Sequence, residues 1–378
     1  MKQGPLLQQD RAGNFVLVRL QDIDGSKQCG KGMAMSQIPR SFLNFPRFAS
    51  PAPAKHQLNH HPGSAAVVTG GNAGVGLATA RALVARGARV VIACRDMDKG
   101  GRAAATLRGV APAPGVPTAG ACSVLQLDLA DLANVARAAE QLAAEGGAEI
   151  VVLNAGVMAP PERLETGDGF ELQYQTNFLG HFLLANRLAC SRRRRRRVGE
   201  ALPPATYVWL TSVTAFASQL SGYGLQGLPF ARQYHAFGQY ANTKLACMLC
   251  AAEMNARLAT DEGRAASVHP GLVDTFLART YFKSAWGGAL PMPLRPLLNA
   301  LLDRVLCPLF LRRPKDAAAL VVRAATAPDK VVAGRYLAGR GVATPPAKAG
   351  DADLRQALWA CTRDLCLASG AATNDDLL

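Results

Sequence analysis

The chain is 378 residues long, 49% hydrophobic and 18% charged, a globular composition with room for one large α/β domain or two ordinary ones. Its net charge of +15 suits an anionic ligand or an acidic membrane surface, but the arginines are scattered outside one block and carry no interleaved aromatic motif, which argues against nucleic acid. Nine cysteines, an odd number without paired framework spacing, argue against a disulfide scaffold and for free thiols in a reducing, intracellular compartment.

Residues 1–62 lack sustained apolar periodicity and are expected to form an N-terminal extension, ending in the linker-like run Ser50-Pro51-Ala52-Pro53-Ala54-Lys55-His56. No Asp or Glu occurs from Gly25 to Arg95, and the basic, hydroxyl-containing stretch from Met33 to Lys55 has the composition of an organellar transit peptide. Asp10, Asp22 and Asp24 run against that, so targeting and a disordered extension both stay open. So does the choice between an organelle, plastid or mitochondrion, and the cytoplasm or endoplasmic reticulum surface.

From Ser64 the pattern becomes regular. The apolar run 64–69 passes into Gly70-Gly71-Asn72-Ala73-Gly74-Val75-Gly76, then into helical spacing at Leu77, Ala80, Leu83 and Val84, then into a second β-like run, 89–94. Strand, glycine turn, helix, strand is a βαβ unit whose natural home is a parallel sheet. The glycine turn at a helix N-terminus offers free N–H groups, a favourable dipole and close backbone approach to a phosphate. The second strand ends in Cys94-Arg95-Asp96. An acid there would bind a ribose 2′-hydroxyl and an arginine a 2′-phosphate, so Arg95 favours NADP(H) over NAD(H), with Asp96 the competing residue.

The βα rhythm then repeats: a helix over 97–107, a Pro/Gly-rich loop over 109–120, a strand over 124–127 ending at Asp128-Leu129, a helix over 132–142, and a strand over 149–153 ending in Asn154-Ala155-Gly156. A helical pattern over 169–188 carries Asn177, and a strand over 205–210 delivers Thr211-Ser212. Ligands bind outside the carboxyl ends of such strands, so Asp128, Asn154 and Ser212 are expected to line one crevice. Between them Arg192 to Arg197 form a run of six like charges, expected to be an exposed loop peripheral to the chemistry. A helix over 239–258 puts Tyr240 and Lys244 on one face, one turn apart, where a cation favours phenolate over phenol. Cys247 and Cys250 follow in the same apolar run; with no second pair or nearby histidine, no metal site is expected. A strand over 265–269 leads to Pro270-Gly271, Val273 and Thr275. The Leu-, Pro- and Phe-rich segment 276–310 suits a lid over an apolar ligand, plain core packing, or short amphipathic helices touching a membrane surface, and helices over 316–325 and 354–367 close the chain.

In this order the motifs resemble the short-chain dehydrogenase/reductase family over residues 63–345, a Rossmann-type doubly wound α/β domain with a helical lid, followed by a helical tail over 346–378. The run Ala93-Cys94-Arg95-Asp96, Asn177-Phe178-Leu179-Gly180-His181-Phe182, Thr243-Lys244-Leu245-Ala246 and Val268-His269-Pro270-Gly271 is most similar to the retinol dehydrogenase and WW-domain-containing oxidoreductase group. His181 and His269 are expected to be structural. The resemblance implies Asn177, Ser212, Tyr240 and Lys244 as the catalytic set. It implies a nicotinamide cofactor held by Gly70, Asn72, Gly74, Val75, Gly76, Arg95, Asp128, Leu129, Asn154, Ala155, Gly156, Tyr240, Lys244, Pro270, Gly271, Val273 and Thr275. In that scheme Tyr240 gives its proton to a substrate oxygen, and Asn177 orients a water beside Lys244. The substrate implied is a lipophilic carbonyl or alcohol, retinoid- or steroid-like, with homo-oligomerisation and peripheral membrane contact both open. Two alternatives are weighed. A light-dependent protochlorophyllide reductase-like enzyme would carry cysteines where this chain has Leu272 and Ala246, and a non-catalytic NADP-binding scaffold would lose part of the Asn/Ser/Tyr/Lys set that is intact here.

Overall fold

The computed structural model describes residues 63–220, 234–275, 295–307 and 311–378, together with Arg279, Lys283 and two N-terminal strands. Those strands, β1 (Leu6–Gln9) and β2 (Phe15–Val18), pair antiparallel as a hairpin that the sequence patterning did not reveal. The targeting segment falls outside the described residues, as does most of 276–310. Of the latter, α7 (Arg295–Leu301) and the π-helical turn Leu302–Leu306 are described. Among the described residues no helix is long and apolar enough to cross a membrane.

Eight strands form one sheet: β3 (Ala65–Thr69), β4 (Arg89–Cys94), β5 (Cys122–Gln126), β6 (Ile150–Leu153), β7 (Ala205–Leu210), β8 (Gly263–His269), β9 (Tyr336–Ala338) and β10 (Gly341–Val342). Their spatial order is β10-β9-β8-β7-β6-β3-β4-β5, all pairs parallel except β9 with β10. This is the doubly wound arrangement expected. The strands read as continuous apolar runs because both faces are covered. Along β3, Val67 enters one core and Ala66 and Val68 the other. The second core is closed by α1 (Gly74–Val84), α2 (Met97–Leu107), α8 (Pro314–Thr326) and the short α9 (Asp329–Val332), with α8 packed along α1. The first is closed by α3 (Leu132–Ala144), α5 (Gly180–Arg197), α6 (Ala236–Arg257) and α10 (Ala352–Ala368). The sheet reverses its winding between β3 and β6, and that switch point opens a crevice beyond Thr69 and Leu153.

Two expectations need correction. The helix expected over 169–188 is interrupted: a single turn, α4 (Leu172–Tyr174), passes into a π-helical segment, Gln175–Leu179, before α5 begins. The arginine run is not a loop but the last turns of α5. There the helix carbonyls attract cations, and counter-charges arrive from elsewhere in the chain. Arg193 pairs with Glu262 at 2.5 Å, Arg194 with Asp376 at 3.5 Å, Arg195 with Glu200 at 2.5 Å and Arg196 with Asp261 at 3.3 Å. Arg192 is buried and donates to the Pro203 carbonyl.

The C-terminal helix belongs to the core it covers. Trp359, 2% exposed, meets Phe182 edge-on with centroids 4.8 Å apart, lies under the Arg257 guanidinium, and donates to Leu378 O at 3.3 Å. Trp359→Ala should cost about 3–5 kcal/mol of stability, measured by urea unfolding. A loss below about 1 kcal/mol would place α10 outside the cooperative core.

Candidate active site

The glycine turn forms the floor of the crevice. Gly70 and Gly74 have positive φ, 62° and 53°, which a side chain would strain. A methyl group at Gly76 would lie 2.3 Å from Gly70 O and 2.5 Å from Asn154 Nδ2, so the turn is closed by contact with its own start and with β6. Helix α1 then begins with Ala73 at its N-cap, no capping side chain and no acid in its first turn. Its leading N–H groups and dipole therefore face the crevice without a built-in anion. Asn72 and Gly74 are half-buried beside it, and Val75 and Gly76 are buried.

A buried polar chain fixes this floor to the next wall. The Asn177 carbonyl can only accept, so the Nδ1 of His181, 3.0 Å away, carries the proton and Nε2 is the acceptor. The Thr69 hydroxyl donates to that Nε2 at 2.8 Å, and its oxygen accepts the amides of Asn154 at 2.8 Å and Ala155 at 3.0 Å. Asn154 returns a bond from Nδ2 to Thr69 O at 2.7 Å. Both histidines expected to be structural are buried; burial pushes the His181 imidazole down to about 4, and burial with the Arg312 charge pushes His269 down to about 3.

Asn177 lies in the π segment, where its side chain is fully engaged. Oδ1 accepts from Val157 N at 2.8 Å, and Nδ2 donates to Val157 O at 2.9 Å and to Thr243 Oγ1 at 3.2 Å. The amide thus clamps the chain beyond Asn154-Ala155-Gly156 to the Thr243 turn of α6. A methyl group at Gly156 would come within 3.0 Å of Asn177 Oδ1 and 3.7 Å of Lys244 Nζ, so this glycine keeps the wall thin between the crevice and the lysine.

Tyr240 and Lys244 share one face of α6, as their spacing predicts. The ammonium stands 5.5 Å from the centre of the Tyr240 ring and donates to Leu210 O, the last residue of β7, at 3.2 Å. Ser212 follows two residues later, half-buried, and caps the short 3₁₀ turn Val213–Ala217 that packs on α6. Asn242, on the same helix, holds Ser218 Oγ at 2.8 Å. Cys247, one turn on, is buried and donates to Asn177 O rather than pairing with Cys250; burial raises both thiols.

Around the rim, Arg95 is exposed at the end of β4, whereas Asp96 caps α2 by accepting from Lys99 N at 2.9 Å and pairing with its ammonium. Asp128 accepts from Ala130 N at 3.0 Å, and Leu129 is buried against Gly180. Thr275 packs its methyl group toward Gly74, joining the chain after β8 to the glycine turn. Pro270, Gly271 and Val273 line up along Arg312, a residue that nothing in the local sequence singled out. The loop signal missed as well was Ala159, which holds a positive φ of 47° with its amide on Gln173 Oε1.

Residues 64–199 match the short chain dehydrogenase family model. The chain is 31% identical to human retinol dehydrogenase 14 over 329 residues, 83% of this chain and 90% of that protein. The chain belongs to the short-chain dehydrogenase/reductase family. It is also 39% identical to mouse retinol dehydrogenase 11, over 58% of this chain and 64% of that protein, less than two thirds of its length. With mouse polyprenol dehydrogenase it shares 34% over 80% of this chain and 84% of that protein. Among solved structures, an uncharacterized protein from Mycobacterium paratuberculosis superposes with a TM-score of 0.58 at 29% identity, covering 80% of this chain and 92% of that one.

The two depressed histidines make the fold acid-sensitive. Each is neutral when folded and takes up a proton when unfolded, so stability is full above the ordinary imidazole value of 6.5 and is lost as pH falls from there toward about 4 for His181 and about 3 for His269. Unfolding followed by denaturant at pH 7, 6 and 5 should show a steepening loss in that window. Thr69→Val, which removes the donor to His181, should add about 1–3 kcal/mol of destabilisation at pH 7.

Proposed function

We propose that this protein is an NADP(H)-dependent oxidoreductase that interconverts an alcohol and a carbonyl on a lipophilic substrate. The observation that carries this is the joining of Tyr240, Lys244 and Ser212 at the end of β7, across a thin glycine wall from an uncapped helix N-terminus suited to a diphosphate. The residues present fit a dinucleotide. Positive-φ glycines allow close backbone approach, α1 brings no acid in its first turn, and Arg95 is exposed at the strand end where the 2′-substituent would lie. Asp96 supports the phosphate form by its engagement in the α2 cap, which takes it away from a ribose hydroxyl.

Gly70 to Gly76 would hold the diphosphate, Asp128 and Leu129 the adenine side, Asn154 to Gly156 the ribose edge, and Val273 with Thr275 the nicotinamide end. The bound dinucleotide supplies the hydride. Ser212 and Tyr240 hydrogen-bond the substrate oxygen, which orients the carbonyl carbon and excludes water from it. As negative charge grows on that oxygen, Tyr240 releases its proton to it; in the reverse direction it takes the alcohol proton. Lys244, held by Leu210 O beside the ring, stabilises charge on the phenol oxygen. Such general acid catalysis is worth about 10² to 10⁴ in rate. Asn177 acts through position, holding Val157 and Thr243 so that the wall and the lysine keep their spacing. A lipophilic substrate is supported by the names of the relatives, retinol dehydrogenases and polyprenol dehydrogenase.

Tyr240→Phe should leave NADPH binding, followed by fluorescence, nearly intact while removing turnover of retinal-like aldehydes. Retained turnover in that variant would eliminate Tyr240 as the acid. Arg95→Ala should weaken NADPH far more than NADH; equal losses for the two cofactors would eliminate the 2′-phosphate assignment.

A further inference from the structure

Arg312 lies against several of the residues expected to hold the cofactor beyond β8. Its backbone forms a parallel bridge with Val273, donates to Leu272 O at 2.7 Å and accepts from Asp274 N at 2.8 Å. Its side chain crosses Gly271. A methyl group there would lie 2.7 Å from Arg312 Cδ and 3.2 Å from Nη1, and Gly271 has a φ of 93°. Arg312 is half-buried, and among the described residues the one hydrogen bond of its guanidinium is from Nη1 to Pro270 O at 3.4 Å. The carboxylate closest in sequence to the bridge, Asp274, is gripped in bidentate fashion by Arg279 at 2.6 and 2.7 Å.

A guanidinium at a partly buried site ordinarily spends its fork on an anion, and among the described residues no carboxylate takes it. Two links bring the site of Arg312 to the glycine turn. Thr275, one residue beyond Asp274, packs on Gly74, and α8, which begins two residues after Arg312, runs beside α1. Both helices start at the carboxyl edge of the sheet, so Arg312 stands at the edge that carries the uncapped α1 N-terminus. Resting on the dinucleotide reading above, we propose that Arg312 is a cofactor-binding residue whose guanidinium holds the diphosphate from the side opposite the glycine turn. Gly271 is then required twice, for its backbone conformation and because any side chain would push the guanidinium away.

The test measures equilibrium binding to the full-length chain, without turnover, for NADPH, ADP-ribose and adenosine 2′-monophosphate. Arg312→Ala should weaken NADPH and ADP-ribose by about tenfold to a hundredfold, the range of a charge-assisted hydrogen bond, and leave adenosine 2′-monophosphate unchanged. It should also flatten the dependence of NADPH affinity on ionic strength. Arg312→Lys should recover part of the loss, because it restores charge without the fork, and its unchanged thermal unfolding would separate binding from folding. Equal weakening of all three ligands, or none in any, overturns the inference while wild-type binding leaves the cofactor reading standing. A wild-type chain that binds none of them overturns both.

Discussion

The hydroxyl of Thr69 is the junction on which the site depends. It sits at the last residue of the first sheet strand, fully buried, and it joins three groups: the imidazole of His181 and the amides of Asn154 and Ala155. Each would cost roughly 1–3 kcal/mol if left buried without a partner. Through His181 the same junction reaches the carbonyl of Asn177, and through Asn154 it reaches the turn at Gly70. The glycine turn and the Asn177 clamp, built from strands and helices far apart in sequence, are thereby held in one register. Neutrality of His181 is a condition of this arrangement, since a protonated ring would lose the acceptor at Nε2 and bring a second cation toward Lys244.

The π-helical segment follows from the same constraint. One extra residue in the helix turns the Asn177 amide onto the Val157 backbone while its carbonyl still meets His181 and Cys247. An unbroken α-helix would place either the amide or the carbonyl off its partner, so the irregular turn is maintained by bonds on both sides. Such a feature is invisible to periodicity, because its cause is a pairing with residue 157 rather than any local preference.

What could be read from the sequence was local. The glycine turn, the apolar strands and the Tyr240–Lys244 spacing each carry their own signal within a few residues, and most boundaries fall where the patterning puts them. What could not be read was set by partners distant in the chain. Six adjacent arginines argue for a solvated loop only while their counter-charges are unknown; Glu262, 69 residues from Arg193, and Asp376 turn the run into an ordinary helix end. The three-residue β9 is too short for alternation to declare it, and it exists because β8 offers an edge. Arg312, 42 residues from Pro270, is seen only once the chain beyond β8 is laid beside it.

Charge around the crevice is arranged by removal as much as by supply. Asp96 is neutralised by the α2 cap and Lys99, Asp274 by the Arg279 fork, and the Asp128 carboxylate accepts from its own turn. The carboxylates that the strand ends inevitably bring to this edge are therefore spent before a ligand arrives. On the proposed reading, Arg95, Lys244, Arg312 and the α1 dipole then set the sign of the potential there. A net charge of +15 does not by itself create such a field, because surface charges farther than about 10 Å are screened at ordinary ionic strength. Local pairing of the acids does create it, and on the proposed reading it favours a ligand carrying several negative charges along its length.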